Sequence, residues 1–585
     1  MAKTDVTVRL GGTAGDGVQS GGELIARIFS RSGLYISTYN GNQSLIRGGQ
    51  VWFHVHAAPW RVSSLGFGID FLISLTQSFY NEHHQSVNDG GYILYDASVV
   101  KADDLPAGVT PLAVPLREIA LKYDKRPIMR NVVAAGALAA ALGIDKKVLS
   151  EAVSQQFGSD TLKGNVLAGN DAYSFFHERF GVIRKLDYCP VSRPFMTANE
   201  ALALGAVAGG CRFYAAYPMS PASSIVHWMA SHSKSLGITV FLGEDEISVI
   251  NSVIGASFAG ARAMCGTSGG GFALMQEAIG MAAMTETPVV VVDVMRAGPS
   301  TGLPTKTSQG DLNMVLGIAQ DDFPRVIIAP RTPQESFYAA GRALNIAEKF
   351  QVPVIILLDF SISEGGYSTV DALNFDAPID RGKIVVKGET NGVWFKRFEL
   401  TPDNVSPRSL PGTDGMMFVA KSDEHDEYGH DLSDVLSGLK ESVKLRERMY
   451  EKRMRKLDLV RKEMSPPEFF GPDKADLTVV TWGSSANPVR EAIRELRSQG
   501  VRANSLEFSD LYPLDATKVR RILQGCGDLL GVECNYTGQF SGYLKRETGV
   551  TVERHLLKYS GEPIYPVEVV NSVKDALARE VSAVA

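Results

Sequence analysis

Cysteine is scarce in this chain, and its pattern excludes more than it suggests. The five cysteines, Cys189, Cys211, Cys265, Cys526 and Cys534, are scattered and odd in number. No CxxC spacing joins any two of them, which argues against a disulfide framework and against an iron–sulfur cluster held by this chain alone. Long hydrophobic runs are also missing. The stretch PVVVVDV is strand-length and falls short of the ~20 residues of a membrane span. The N-terminal MAKTDVTVRL lacks a signal-peptide pattern, so the expected location is the cytoplasm, with no membrane contact. Basic charge is not in excess: 59 Lys and Arg stand against 65 Asp and Glu, a net charge of -6. Nothing here neutralises phosphates broadly, so no nucleic-acid partner is expected.

What the chain does have is glycine, 57 residues of it, clustered in loops after apolar runs. The length of 585 residues allows roughly three to four domains. The first spans 1–190. TDVTVRLGG reads as a strand entering a glycine loop, Gly11 to Gly17, followed by the helix VQSGGELIARIFSRSG. VWFHVH, FLISL and GYILYD read as strands, and NVVAAGALAAALG as a helix. The second domain, 191–370, alternates the strands FYAAYP, TPVVVVDVM, RVIIAP and VPVIILLD with small-residue helices. That alternation predicts a mostly parallel, doubly wound sheet. Residues 371–470 are irregular and end in a charged helical arm. From Lys440 to Lys462 it holds ten basic and four acidic residues, which fits either a solvated helix packed on one face or a dock for an acidic partner. The last domain, 471–585, alternates strands and helices again.

The densest chemistry lies between Tyr217 and Gln309. YPMSPASS puts Ser220, Ser223 and Ser224 after a strand where a helix should start, so hydroxyls and free N–H groups could meet a carboxylate or phosphate there. An ordinary helix N-cap would use one hydroxyl in the same way. GEDEISV places Glu244 and Glu246 before an apolar helix, where acids are costly unless paired or functional. TSGGGFALMQE and a glycine–proline loop with Arg296, Lys306 and Gln309 follow.

Taken in order, YPMSPASS, EDE, TSGGGFALMQE and RAGPSTGLPTKTSQGDL resemble the signature segments of the 2-oxoacid:ferredoxin oxidoreductases. NVSPRSLPG, EHDEYGH and VECNYTGQF extend the likeness, and GGTAGDGVQSGGELIA with RGGQV resembles the family's gamma domain. The resemblance implies an α/β, multidomain fold. A gamma-type α/β domain would precede a thiamin diphosphate-binding, pyrimidine-type doubly wound domain and a transketolase C-terminal-like α/β domain.

The resemblance also implies chemistry: decarboxylation of a 2-oxoacid on thiamin diphosphate, two electrons passed to ferredoxin, and acyl transfer to coenzyme A. The fused gamma–alpha layout without a cluster motif points to the 2-oxoglutarate type and succinyl-CoA, with pyruvate, branched-chain and aryl 2-oxoacids open. The activating glutamate beside the cofactor's aminopyrimidine falls on Glu246, with Glu244 the alternative. Tyr217, Pro218, Thr267 and Ser268 would join them against the cofactor. Arg296, helped by the hydroxyl of Ser220, would orient the substrate carboxylate. Arg47, Gly48 and Gly49 would lie near coenzyme A. The diphosphate, its Mg²⁺ and a [4Fe–4S] cluster would belong to a separate beta subunit in an (αβ)₂ assembly.

Some segments tempt other readings. Gly15-Asp16-Gly17 with Asn40 mimics a diphosphate–magnesium motif, but it falls on the first strand of the gamma-type domain. EHDEYGH, with Glu424, His425, Asp426, Glu427 and His430, invites a metal but fits a hydrogen-bonded interface better. Cys534, in VECNYTGQF, reads as a small buried residue rather than a nucleophile. A scaffold with the same fold and no catalysis is the rival reading; it would not need the acids, Arg296 and PSTGLPT together.

Overall fold

The structure is a computed structural model that describes residues 4–42, 49–125, 129–189, 191–386, 394–432 and 440–584. The first unit is built on strands β1 (Val6–Thr13), β2 (Tyr35–Gly41), β3 (Gln50–Ala58), β4 (Ile69–Ser74), β5 (Val87–Tyr95) and β6 (Thr110–Ala113). They form a mixed sheet in the order β6-β5-β4-β1-β3-β2, which Ser368–Thr369 and Phe195–Met196 extend. Helices α1 (Val18–Arg31), α2 (Arg130–Ala141), α3 (Lys146–Gln156) and α4 (Ser159–Phe180) cover it. The expected glycine loop is shorter than the sequence suggested. Gly11 and Gly12 belong to β1, opposite Trp52 and Val51. A Cβ on Gly11 would lie 2.1 Å from the Phe79 ring, so glycine serves close packing there rather than a turn. Strand β2 and helices α3 and α4 had no distinct pattern in the sequence.

The second unit holds α5 (Ala198–Ala208), β7 (Phe213–Ala216), α6 (Ser223–Leu236), β8 (Thr239–Leu242), α7 (Glu246–Phe258), β9 (Ala263–Thr267), α8 (Gly269–Met284), β10 (Val289–Met295), β11 (Val326–Ile328), α9 (Pro333–Phe350) and β12 (Pro353–Asp359). Its strands run parallel in the order β11-β12-β10-β9-β7-β8. All seven positions of β10 are buried, as a sheet covered on both faces requires. Val289 and Val291 pack toward α7 and α8, whereas Val290, Val292 and Val294 pack toward α5, α6 and α9. This two-residue alternation decides which functional side chains share a face.

The third unit is a sheet of β13 (Leu477–Trp482), β14 (Ala503–Phe508), β15 (Asp528–Glu533) and β16 (Arg554–Leu557), in the order β14-β13-β15-β16, with Glu468–Phe470 at its edge. Its chain also sends Asp510–Tyr512 across to pair antiparallel with β11 of the second sheet.

The charged arm is α10 (Lys440–Glu463). Its basic residues are not a uniform outward stripe, because Lys452, Arg453 and Lys456 are buried. Lys452 and Lys456 donate to the two oxygens of buried Glu286 at 2.6 and 2.5 Å. Arg453 grips Glu424 at 2.9 and 2.7 Å. Part of the positive charge that suggested a dock therefore pins the arm to its own chain. Burial alone would raise the Glu286 carboxyl, but Lys452, Lys456 and Arg397 hold it well below the usual carboxylate range. Burial in turn pulls the Lys456 ammonium down to about 7 against the attraction of Glu286. Glu286→Ala strands these cations without a counter-ion and should cost about 3–5 kcal/mol in a denaturant titration. A loss below about 1 kcal/mol, the usual value of an exposed pair, would contradict this account.

Candidate functional site

In the second sheet, β7 is followed by β8 on one side and, after a return crossover, by β9 on the other. The crevice between the carboxyl ends of β7 and β9 is thus a topological switch point, where open α/β sheets bind ligands. The expected residues fall around it. Tyr217 and Pro218 form an exposed lip after β7. Glu246 opens α7 behind an Asp245 N-cap, whose side chain accepts from Ser248 N at 2.7 Å. Glu244 and Asp245 are exposed, whereas Glu246 is only 4% exposed and turned inward.

The Oε1 atom of Glu246 is buried and has no hydrogen-bond partner. Against it lies Gly271 in the first turn of α8. A Cβ there would sit 2.5 Å from Glu246 Oε1 and 2.2 Å from Thr267 Oγ1, so only glycine leaves the carboxyl its room. Thr267 and Ser268 are fully buried. Thr267 Oγ1 lies 3.9 Å from Met219 Sδ, and Ser268 Oγ has no partner. Buried polar groups without partners are uncommon, and several converging at a switch point mark a place where a ligand completes the bonding.

Across the crevice, Arg296 donates from Nη1 to the backbone carbonyl of Ser220 at 2.7 Å. The two residues do meet, but through the Ser220 carbonyl rather than its hydroxyl. The anion reading of the α6 N-terminus needs correction. Ser224 N donates to Glu364 Oε1 at 3.1 Å, and Ser224 Oγ accepts from Asn199 Nδ2 at 2.7 Å. The chain's own carboxylate fills a place the sequence offered to an external one.

The rest of the 296–311 loop faces the other units. Gln309 is fully buried; it donates to the Trp482 carbonyl at 2.9 Å and accepts from Ser485 Oγ and Cys534 N at 2.7 and 3.0 Å. Lys306 pairs with Glu562. Asn535 Nδ2 donates to the Gln309 carbonyl at 3.2 Å, and Gln539 Nε2 to that of Gly310 at 2.7 Å. These contacts tie the third unit to the crevice. Burial pushes the Cys534 thiol up to about 12, so it is no nucleophile at neutral pH.

The remaining candidates separate. Asp16 is held by Arg130 at 2.7 Å and accepts from Thr13 N at 2.9 Å. In EHDEYGH, Glu424 is engaged by Arg453, Glu427 accepts from Leu400 N at 3.0 Å, and Asp426 accepts from Tyr428 N and His430 N, both at 2.9 Å. Arg47 and Gly48 lie outside the described residues. The Gly49 carbonyl accepts from Ala14 N at 3.3 Å, joining its segment to the glycine loop. Two acids at the crevice went unremarked in the sequence. Asp293 sits within an apolar strand, a placement that signals a special role, and Asp311 closes the loop begun by Arg296.

The family model described as "Pyruvate flavodoxin/ferredoxin oxidoreductase, thiamine diP-bdg" matches residues 204–444, and "Pyruvate ferredoxin/flavodoxin oxidoreductase" matches 7–175. A 2-oxoacid:ferredoxin oxidoreductase subunit alpha of Aeropyrum pernix is 30% identical over 98% of both chains. The 2-oxoglutarate synthase subunit KorA of Methanothermobacter marburgensis is 33% identical, over 65% of this chain and 98% of its own. The solved structure of a 2-oxoglutarate:ferredoxin oxidoreductase from Magnetococcus marinus, with 2-oxoglutarate, coenzyme A and succinyl-CoA bound, is similar with a TM-score of 0.90 at 31% identity. That match covers 98% of this chain and 99% of the other.

Gly271→Ala should lower stability by about 1–3 kcal/mol, because the methyl must displace Glu246 or Thr267. Unchanged denaturation midpoints would mean the crevice is looser than its geometry indicates.

Proposed function

From the premise that this chain belongs to the 2-oxoacid:ferredoxin oxidoreductases, whose α subunits it matches along nearly its whole length, we propose that it converts 2-oxoglutarate and coenzyme A to succinyl-CoA, with electrons passing to ferredoxin. KorA and the Magnetococcus marinus enzyme, relatives whose names specify 2-oxoglutarate, support that substrate.

The observation that carries the reading is the buried, unpartnered carboxyl oxygen of Glu246 beside Gly271. It fits the pyrimidine end of thiamin diphosphate, which offers a ring nitrogen to an acid. Thr267 and Ser268 add hydroxyls on the same side, and Tyr217 and Pro218 border the opening. Thiamin diphosphate held there would supply the nucleophile and electron sink that decarboxylation of a 2-oxoacid needs. Glu246 would offer its free carboxyl oxygen to the ring nitrogen, and its burial would keep water out of that contact. Arg296, set by the Ser220 carbonyl, presents the rest of its planar fork to the substrate carboxylate. Its contribution is orientation, since a tighter grip on the ground state would slow loss of carbon dioxide.

The other half of the site belongs to a second polypeptide. Helices α7 and α8 carry few charged residues yet lie at the surface, with Ile247 and Leu274 exposed on them and Tyr217 and Leu242 exposed at the ends of β7 and β8. Such a surface around a ligand crevice calls for a cover. A beta subunit in an (αβ)₂ assembly would provide it, along with the diphosphate anchor, Mg²⁺ and the [4Fe–4S] cluster that passes electrons to ferredoxin. Coenzyme A would approach by the segment of Arg47, Gly48 and Gly49 beside the glycine loop. No helix among the described residues is long and apolar enough to cross a membrane, and a cytoplasmic enzyme fits the unpaired cysteines.

Glu246→Gln should leave assembly and cofactor binding measurable while acyl-CoA formation falls by about two to four orders of magnitude. Near-normal turnover would move the acid role elsewhere. The chain purified without a partner should reduce no viologen dye with 2-oxoglutarate, and activity from the lone chain would overturn the shared-site reading.

A further inference from the structure

Three arginines meet where the chain passes from the first unit to the second. Arg27 and Arg31 lie one turn apart on α1, and Arg193 lies on the segment that runs past that helix toward α5. Hydrogen bonds fix the crossing: Arg193 N donates to the Ser30 carbonyl at 3.1 Å, and Ser30 Oγ donates to the Arg193 carbonyl. The three arginine side chains line one cavity of about 340 Å³, with Gln155 of α3 beside them.

Arg31 has an ordinary explanation. It pairs with Glu151 at 2.5 Å, and a cation in the last turn of α1 suits the negative end of the helix. Arg27 and Arg193 have none. Among the described residues they form no ion pair and are held by stacking instead, Arg27 at 5.6 Å from the centre of the Phe195 ring and Arg193 at 3.9 Å from that of Tyr35. Arg193 Nε donates to the Gly33 carbonyl at 2.7 Å. The Nε atoms of Arg27 and Arg31 are buried with no acceptor. Guanidinium groups stacked in this way keep the edges of their planar forks for an acceptor. Two acids, Glu23 and Glu200, border the same cavity near Tyr367, but other groups engage them. Glu23 accepts from Tyr367 Oη at 3.3 Å and from Gln19 Nε2 at 3.1 Å, and Glu200 closes the capping box of α5 with Thr197.

We propose that this cavity binds a single phosphate group, free in solution or carried on a nucleotide. A tetrahedral oxyanion suits planar forks that converge from two segments, and it supplies the acceptors that the two buried Nε groups lack. The Glu23 and Glu200 side of the cavity limits the charge, because a polyphosphate reaching toward it would meet like charge. The carboxyl end of α1 repels anions, so the arginines supply the whole attraction. The site is separate from the place given to coenzyme A above. At 1.5 Å per residue, Arg31 lies about 20 Å along α1 from Gly17 of the glycine loop. Bound there, phosphate joins α1 to the segment that leads into the second unit.

The test is titration calorimetry on the complex assembled with its co-purifying partner. Thiamin diphosphate and coenzyme A are present at saturation, so that their own phosphate sites are filled. Inorganic phosphate and adenosine 5′-monophosphate are titrated separately, with chloride at equal ionic strength as the blank. Inorganic phosphate should bind with a dissociation constant on the order of 1 mM or below, which a few charge-assisted contacts can supply. Arg27→Gln combined with Arg193→Gln should weaken it by about tenfold or more. Binding of the nucleotide at least about tenfold tighter than that of phosphate assigns the site to a nucleotide, and anything less assigns it to free phosphate. No saturable binding of either probe to the wild-type assembly overturns the inference. So does binding that the double variant retains in full; if that variant does not assemble, Arg27→Gln alone decides in the same way. The readout is binding rather than turnover, so its outcome is independent of which 2-oxoacid the enzyme uses.

Discussion

A carboxyl group buried without a hydrogen-bond partner is the constraint on which the rest depends. Such a group costs about 1–3 kcal/mol unless something completes it. Glu246 sits at the crevice of a doubly wound sheet, and its surroundings preserve that cost rather than remove it. Asp245 takes the capping work of α7, which leaves Glu246 free of it. Gly271 withholds the methyl that would press on the carboxyl, and Thr267 presents a hydroxyl beside it. Ser268 repeats the pattern with a second orphan oxygen. Each is a local sacrifice of stability, and together they describe the outline of a ring that brings its own polar edge.

The three units hold this outline rigid. The loop from Arg296 to Asp311 is fastened at several points: Thr305 to the Asn42 carbonyl, Thr307 to Asp359, and Gln309 to the third sheet. Buried Glu286 and Glu348 anchor the irregular region and the arm. Glu348 alone is engaged by Arg262, Arg381 and Arg408. Much of the charge that looks like surface decoration in the sequence is thus internal bracing. What stays open on α7 and α8 are apolar side chains such as Ile247 and Leu274.

How much of this the sequence disclosed varied with the kind of signal. The strands of the second sheet were legible as apolar runs of the right length. The segments around Tyr217, Glu246, Thr267 and Arg296 were legible as an ordered cassette, and they do converge on one crevice. The choice between Glu244 and Glu246 as the inward acid could not be read from spacing alone; the helix start turns one outward and the other inward. Asp293 was hidden because a lone acid in an apolar strand names no partner. Glu364 was hidden because its target, Ser224, lies 140 residues away in the chain. The arm was legible as a helix packed on one face, but counting charges could not say that Lys452, Arg453 and Lys456 lie on that face.

The account's central claim is that Glu246 meets the aminopyrimidine of thiamin diphosphate in a crevice closed by another subunit. The most direct measurement is a structure of the complex assembled with its co-purifying partner and thiamin diphosphate. The account predicts Glu246 Oε1 within hydrogen-bonding distance of the pyrimidine ring nitrogen, with the partner packed over α7 and α8. A cofactor bound elsewhere, or a Glu246 carboxyl still without a partner in that assembly, would contradict it.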